Sequence, residues 1–452
     1  MSEASIVRRA SYGASSPAVG ARGASTRGKI TEVSLELFGR LGYFDTSVDA
    51  IAKAAGVSRA TLYQYFKGKD EIFLELLNEC GSALFRVARR IGPLGPDETG
   101  FDNLNWWLGE WSWVFEKYST MFVQWTAIAS SDTKVRPAIT SFVRSYNHRL
   151  AERLAASGLR GLDPEVAAMT MTALVHRINL FVHTDRAYGR SAKDAVDTLS
   201  VFLQLTLFPE TPAAVLNSLR LHASEDPAAD VDAVQVPDAP DLTGLSITER
   251  TANLSKRAVA TVNTLADAGA AQFRLRGYRS TSVDDIVVAA QVARGTFYKY
   301  FSDKQDLLAA VGAEVYGAAK AFAERIAQVD PVTNEATLWH WLATYVEFYD
   351  RYSGCIDAWA EGTTDDPTIV GIGENGQVLM DLGVAKMLTR RPSAYPYDPV
   401  ISALIVRSLV TRVPQAALDL PEPIGEDAVI ELLATCIGRG FFAKAAKPVK
   451  TK

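Results

Sequence analysis

The strongest constraint on this chain is that it contains one passage twice. Residues 42–66 read GYFDTSVDAIAKAAGVSRATLYQYF and residues 277–301 read GYRSTSVDDIVVAAQVARGTFYKYF. The two align without a gap and agree at more than half of their positions, among them Gly42 with Gly277, Val48 with Val283, Ile51 with Ile286, Val57 with Val292 and Tyr63 with Tyr298. Duplication is the economical explanation, and 452 residues are enough for two halves that each bury a core.

The repeated passage reads as two short helices joined at a corner. Ser47 precedes VDAIAKAA, where its hydroxyl can cap a helix that turns Val48, Ile51 and Ala55 inward. Gly56 follows, and a residue without a Cβ takes the positive φ that a three- or four-residue corner needs. Ser58 then caps SRATLYQYF, with Leu62 and Phe66 toward the core and Arg59, Ala60, Thr61, Tyr63 and Gln64 outward. That outward face suits a major groove: Arg matches guanine acceptors, the Thr methyl matches thymine, and tyrosine hydroxyls match phosphates. Lys69, opening KDEIFLELL, adds an ammonium near a helix start, another phosphate position.

A net charge of -5 speaks against a nucleic-acid partner only as an average. Residues 1–69 hold ten Lys/Arg against five Asp/Glu, and residues 250–304 hold nine against four. Two basic islands in an acidic chain fit a DNA reader whose docking faces alone neutralise phosphate, although solvated helix faces give a similar count. The remainder is helical by its i, i+3, i+4 apolar spacing. Cys80, Cys355 and Cys436 are far apart and form no CxxC pair, which suits a reducing cytoplasm. No uncharged apolar run approaches the ~18 residues of a membrane span, and Ala, Ser and Gly follow Arg8 and Arg9 where an export signal needs an apolar stretch. A soluble, cytoplasmic protein without membrane contact or metal is expected.

Helix, short helix, glycine turn, a TxYxYFxxK helix and a lysine at the next helix start together resemble the tetracycline-repressor (TetR) family. The resemblance implies an all-α fold of two tandem units, each a three-helix DNA-binding head followed by a helical ligand-binding and dimerisation body, paired within one chain. The expected boundaries are an arm (1–24), head one (25–72), body one (73–208), an acidic Pro/Ala linker (209–246), head two (247–307), body two (308–442) and a basic tail (443–452). The acidic linker is expected to stay extended and off the DNA. Carried over residue by residue, phosphate roles fall to Thr46, Ser47, Tyr63, Tyr65 and Lys69, and base-edge roles to Arg59, Ala60 and Thr61, with the capping Ser58 counted among the DNA-binding residues. In the second copy the matches are Thr281, Ser282, Tyr298, Tyr300 and Lys304, then Arg294, Gly295 and Thr296, with Lys299 beside them. Gln291 there replaces the turn glycine and Ala293 the capping serine, so a looser corner is expected at ~1 kcal/mol for each change. Retained binding by the second head is the favoured reading, and a decayed head that only completes the pair is the alternative.

Related text, Ala173, Leu174 and Arg177 against Ala403, Leu404 and Arg407, marks 164–186 with 191–208 and 398–413 with 425–442 as pairing helices. The implied partners are double-stranded operator DNA, a small-molecule inducer, the chain's own other half as pseudo-dimer, and a further copy as homodimer. Both bodies carry aromatic stripes, which serve first as core and, in a body of this kind, also line an inducer cavity. Trp107, Trp111, Gln124, Trp125, Tyr146, His176 and Asn179 in the first body, and Trp341, Tyr345 and Trp359 in the second, are the ligand candidates, for an apolar or aromatic effector. Gly371, Gly373 and Gly376 spell GxGxxG and raise an enzyme as the contrasting class, but a dinucleotide fingerprint needs a preceding buried strand, and only 368–370 is available. The glycines are read instead as interrupting the helix that corresponds to 132–156 and loosening the second body.

Overall fold

The computed structural model describes residues 17–131, 135–219, 221, 226–333, 335–360, 364, 366–391, 395 and 397–442. Every element among them is helical, as the periodicity predicts. The first half runs α1 (Pro17–Leu41), α2 (Val48–Ala55), α3 (Arg59–Tyr65), α4 (Lys69–Arg90), α5 (Glu98–Lys117), α6 (Ser119–Ser131), α7 (Arg136–Ala155), α8 (Pro164–His183) and α9 (Ala192–Leu207). Three short pieces follow, α10 (Ala213–Leu216), α11 (Pro227–Asp232) and α12 (Ile247–Thr251). The second half runs α13 (Lys256–Arg276), α14 (Val283–Ala289), α15 (Arg294–Tyr298), α16 (Lys304–Ile326), α17 (Glu335–Ala360), α18 (Pro367–Thr389), α19 (Pro399–Ala417) and α20 (Glu426–Ile437), closing in a π-helical turn, Gly438–Phe442. The tail 443–452 and the first sixteen residues of the expected arm lie outside the described residues, and 17–24 belong to α1.

The chain divides into two compact units, residues 1–84 with 118–139, and 85–117 with 140–452. In the first unit, Phe38, Tyr43 and Phe73 pack ring against ring at 5.3–6.2 Å over buried Ile30, Ile51, Leu62 and Phe66. This apolar knot fixes α2 and α3 against α1, since helices of eight and seven residues are too short to stand alone.

In the second unit, α13–α15 share one continuous core with α16, α17 and α18: Phe273, Ile286, Phe297, Phe301 and Leu307 join Cys355, Trp359 and Ile372. The GxGxxG glycines do not interrupt a helix. They lie inside the unbroken 23-residue α18, with no strand before them among the described residues, and glycines of this helix let its neighbours approach. A Cβ on Gly373 would stand 2.1 Å from the Trp359 ring, and one on Gly383 would stand 2.5 Å from the Ala323 carbonyl oxygen.

Helices α8 and α19, marked by the shared Ala-Leu-x-x-Arg text, pack against each other, with α9 and α20 beside them. α19 is apolar and long enough to span a membrane by length and composition, yet its most apolar window is 78% buried inside the protein, so its hydropathy serves this seam. Polar clasps cross the seam from the α8–α9 loop. Arg190 Nε donates to Asp398 at 2.9 Å, while the other carboxylate oxygen of Asp398 caps α19 through Val400 and Ile401. The Tyr188 hydroxyl donates to Asp381 at 2.7 Å, and Arg407 Nε lies 2.8 Å from the same carboxylate. The 209–246 stretch is not a bare extended tether: α11 packs on α18 and α19, and Asn375 Nδ2 donates to the Pro237 carbonyl at 2.5 Å.

Candidate nucleic-acid interface

Both corners are built by the caps that the sequence foreshadows. Ser47 Oγ accepts from Ala50 N at 3.1 Å and Ser58 Oγ from Thr61 N at 3.0 Å, which satisfies amides that a helix start leaves open. Gly56 sits at φ +68°, and Val57 N closes the reversal on Ala52 O at 3.0 Å. The second corner has the same shape. Gln291 adopts φ +56° despite its Cβ, and Val292 N donates to Val287 O at the same 3.0 Å. The turn itself closes as tightly as in the first head, and the difference appears as backbone strain at Gln291 and as an α15 of five residues, against seven in α3, that starts with no side-chain cap at Ala293.

On the outward face, Arg59, Ala60, Tyr63 and Gln64 are exposed, and Thr61 and Tyr65 are half-buried. Arg59 Nη1 donates to Asp49 at 3.1 Å, Nη2 stands 3.5 Å from the Tyr63 hydroxyl, and the guanidinium carbon lies 5.7 Å from the tyrosine ring centre. The second head repeats this with its own residues. Arg294 Nη1 donates to Asp284 at 3.1 Å, Nη2 stands 3.4 Å from the Tyr298 hydroxyl, and the ring distance is again 5.7 Å. Tyrosine first and aspartate second hold both guanidiniums above their ordinary values. Gly295 and Lys299 complete the second face in the open, and Thr296 and Tyr300 are half-buried. Sequence reasoning passed over Asp49 and Asp284, although the repeat alignment sets them opposite each other.

Four phosphate expectations need correction. Lys69 Nζ donates to the carbonyls of Tyr43, Phe44 and Thr46 at 2.7, 2.9 and 3.1 Å, which uses all three ammonium hydrogens. Lys304 Nζ does the same to Tyr278, Arg279 and Thr281 at 2.9, 3.1 and 2.9 Å, and burial, then Arg279, lowers its pKa. Thr46 and Thr281 are buried, their hydroxyls directed at the carbonyls of Gly42 and Gly277 at 2.7 and 2.8 Å. All four hold the loop between the first two helices of each head. Ser47 remains exposed and outward. Ser282 is exposed too, but its hydroxyl donates to Asp285 at 2.6 Å within a reciprocal capping box.

The ligand candidates do not converge on one cavity. Trp107 Nε1 donates to the Tyr146 hydroxyl at 3.1 Å, and both are fully buried. Burial raises the Tyr146 pKa, against the opposing bonds from Trp107 and Trp111. His176 stands edge-on to Trp111 at 6.2 Å, and Asn179 accepts from Ser112 and donates to Val175 O. This is packed core. Gln124 belongs elsewhere: its Oε1 accepts from Tyr43 N at 3.0 Å, fixing α6 to the turn that follows α1. The Trp125 side chain lies outside the described residues. In the second half, Trp341 donates to Phe322 O and stacks on Tyr345 at 4.9 Å, and Tyr345 and Trp359 do line a cavity.

The sequence profile of bacterial regulatory proteins of the tetR family matches residues 30–76 and again 265–311. Over 54 residues the chain is 46% identical to the putative mycofactocin biosynthesis transcriptional regulator MftR of Mycobacterium tuberculosis, a match covering 12% of this chain and 27% of that protein. The chain thus spans little more than a quarter of that relative's length. It is 25% identical over 157 residues to the biofilm operon icaADBC HTH-type negative transcriptional regulator IcaR of Staphylococcus epidermidis, covering 34% of this chain and 80% of that one. A crystal structure of a TetR/AcrR-family transcriptional regulator from Thermobifida fusca aligns with 40% of this chain and 97% of its own, at 23% identity and a TM-score of 0.31.

Proposed function

The chain belongs to the tetR family of bacterial regulatory proteins, with two TetR-like units in tandem, and from that premise we propose that it is a cytoplasmic, ligand-responsive repressor that reads a pseudo-palindromic operator with both heads of one polypeptide. The observation that carries this reading is the matched Arg–Asp–Tyr arrangement, its arginine and tyrosine on α3 and α15 and its aspartate on α2 and α14, kept in two heads whose corners have diverged. A guanidinium on a short exposed helix is the group that takes guanine O6 and N7 in a major groove. Tyr63 and Tyr298, 44% and 48% exposed, flank it for phosphate, with Ser47 at the edge of the first head. The two half-sites differ in sequence, because Ala60 faces the groove in one head and Gly295 in the other. An apolar or aromatic effector acts by shifting the balance between DNA-binding and released states.

The test is selection of bound fragments from genomic DNA by the purified full chain, followed by titration of the recovered duplex. Arg59→Ala and Arg294→Ala should each weaken binding by ~1–3 kcal/mol, each sensitive to base changes in a different half-site. Salt-insensitive binding, or no selected duplex, refutes the proposal. An Arg294→Ala variant as tight as the parent on every duplex refutes the role of the second head.

A further inference from the structure

The second half holds a cavity of about 60 Å3 that the aromatic stripes alone do not explain. Tyr345, Phe348 and Trp359 of α17 form one wall, Tyr316 of α16 and Gly376 of α18 another, and Arg177 reaches it from α8 of the opposite half. Arg177 is 5% exposed, and its Nε has no hydrogen-bond partner among the described residues. Its counterpart Arg407 is provided for, lying beside Asp381 and donating to Gln377 at 3.0 Å. Both guanidiniums flank the Phe181 ring, at 4.9 and 4.1 Å, but a ring face is a weak substitute for hydration of a buried charge. Burial pushes the Arg177 pKa down to about 9, with Arg412 and Arg407 adding to the shift and Tyr349 and Asp357 opposing it.

We propose that this cavity binds a small monocarboxylate with an apolar body, the carboxylate on Arg177 and the hydrocarbon against Tyr345, Phe348 and Trp359. A planar guanidinium pairs two oxygens of a carboxylate at once, and in a water-poor site that pairing discriminates against a neutral amide of the same shape. The cavity is far smaller than the several hundred Å3 of a drug-sized site and smaller than the ~150 Å3 that holds a benzene ring, which selects short acyl chains. Trp359 and Ile372 belong to the same core as Phe297 and Phe301 of the second head, so occupancy bears on α15. That consequence for DNA rests on the regulatory reading above, whereas the binding itself does not.

The experiment is calorimetric and thermal-shift titration of the full chain with butyrate, hexanoate and benzoate, each against its neutral amide, with duplex binding measured in parallel. Wild type should bind at least one carboxylate tenfold or more tighter than its amide. Arg177→Met should lose that preference. Gly376→Val, whose new Cβ meets Tyr316 at an ordinary 3.6 Å, should weaken carboxylate binding by filling the cavity with Arg177 intact; this variant keeps the test decisive if Arg177→Met does not fold. Equal binding of acids and amides, no binding of either, a preference that survives Arg177→Met, or unchanged affinity in Gly376→Val overturns the inference. Duplex binding without carboxylate binding overturns this inference alone. Carboxylate binding without duplex binding supports it and overturns the regulatory function instead.

Discussion

Replacing Lys69 by Met separates a structural role from a DNA-contacting one. Methionine keeps the length of the side chain and removes the ammonium, leaving the carbonyls of Tyr43, Phe44 and Thr46 without their shared donor. A hydrogen bond to a charged group contributes ~1.5–3 kcal/mol, and three from one half-buried ammonium do not add, because water can reach part of the loop. The expected loss is about 2–4 kcal/mol, confined to the loop between α1 and α2. Amide hydrogen exchange over residues 42–50 should therefore accelerate by roughly 30- to 700-fold, at 1.4 kcal/mol per tenfold. On the DNA side, each phosphate contact contributes ~0.9 to the slope of log affinity against log salt, and this slope should stay where it is once binding is compared at equal folded fraction. Lys304→Met should behave alike over residues 277–285, from its own three carbonyls. A slope shallower by ~0.9 with unchanged exchange would refute the argument and restore the lysines to the phosphate backbone.

Gln291→Gly should stabilise the second corner by about 0.5–1 kcal/mol, since relief of a left-handed L-residue, ~1–2 kcal/mol, exceeds the entropy lost by glycine; Gly56→Gln should do the reverse in the first corner. Local exchange over 283–298 and 48–63 reads both, and equal signs would show that the turn conformation is not what separates the heads. Asp49→Asn and Asp284→Asn each remove a carboxylate from beside the exposed arginine of their head. Affinity for random duplex should rise a few-fold at low salt, the gain shrinking as salt screens it, while discrimination between operator and random DNA falls. Anisotropy titrations at two salt concentrations check this, and unchanged discrimination would mean that the aspartates do not orient the arginines.

Much of the corner is legible in the sequence because its determinants are local. Ser47, Gly56 and Ser58 act within three residues of where they stand, and Leu62 and Phe66 follow helical spacing into the core. Lys69 misleads because proximity to a helix start says nothing about which acceptors the fold brings within reach, and the three carbonyls come from more than twenty residues upstream. Gln124 misleads likewise, lying among tryptophans in the sequence but bonded to a backbone amide 81 residues earlier. The GxGxxG glycines of α18 read as breaks because helix propensity disfavours them, whereas the helix runs through all three and packing against Trp359 requires one, Gly373. Aromatic stripes cannot separate core from cavity by spacing, and Arg177 could be singled out only after the fold had buried it at a cavity wall with its Nε unbonded.

That the seam between α8 and α19 is formed within one chain has a genetic consequence. In an assembly of identical chains every interface mutation is met twice, and a cell with one altered gene copy fills with hybrids in which good subunits are trapped beside bad ones. Across this seam no such mixing arises, because both faces are inherited together. Arg177 and Arg407 could therefore diverge one at a time, the second staying beside Asp381 while the first was left without that anchor.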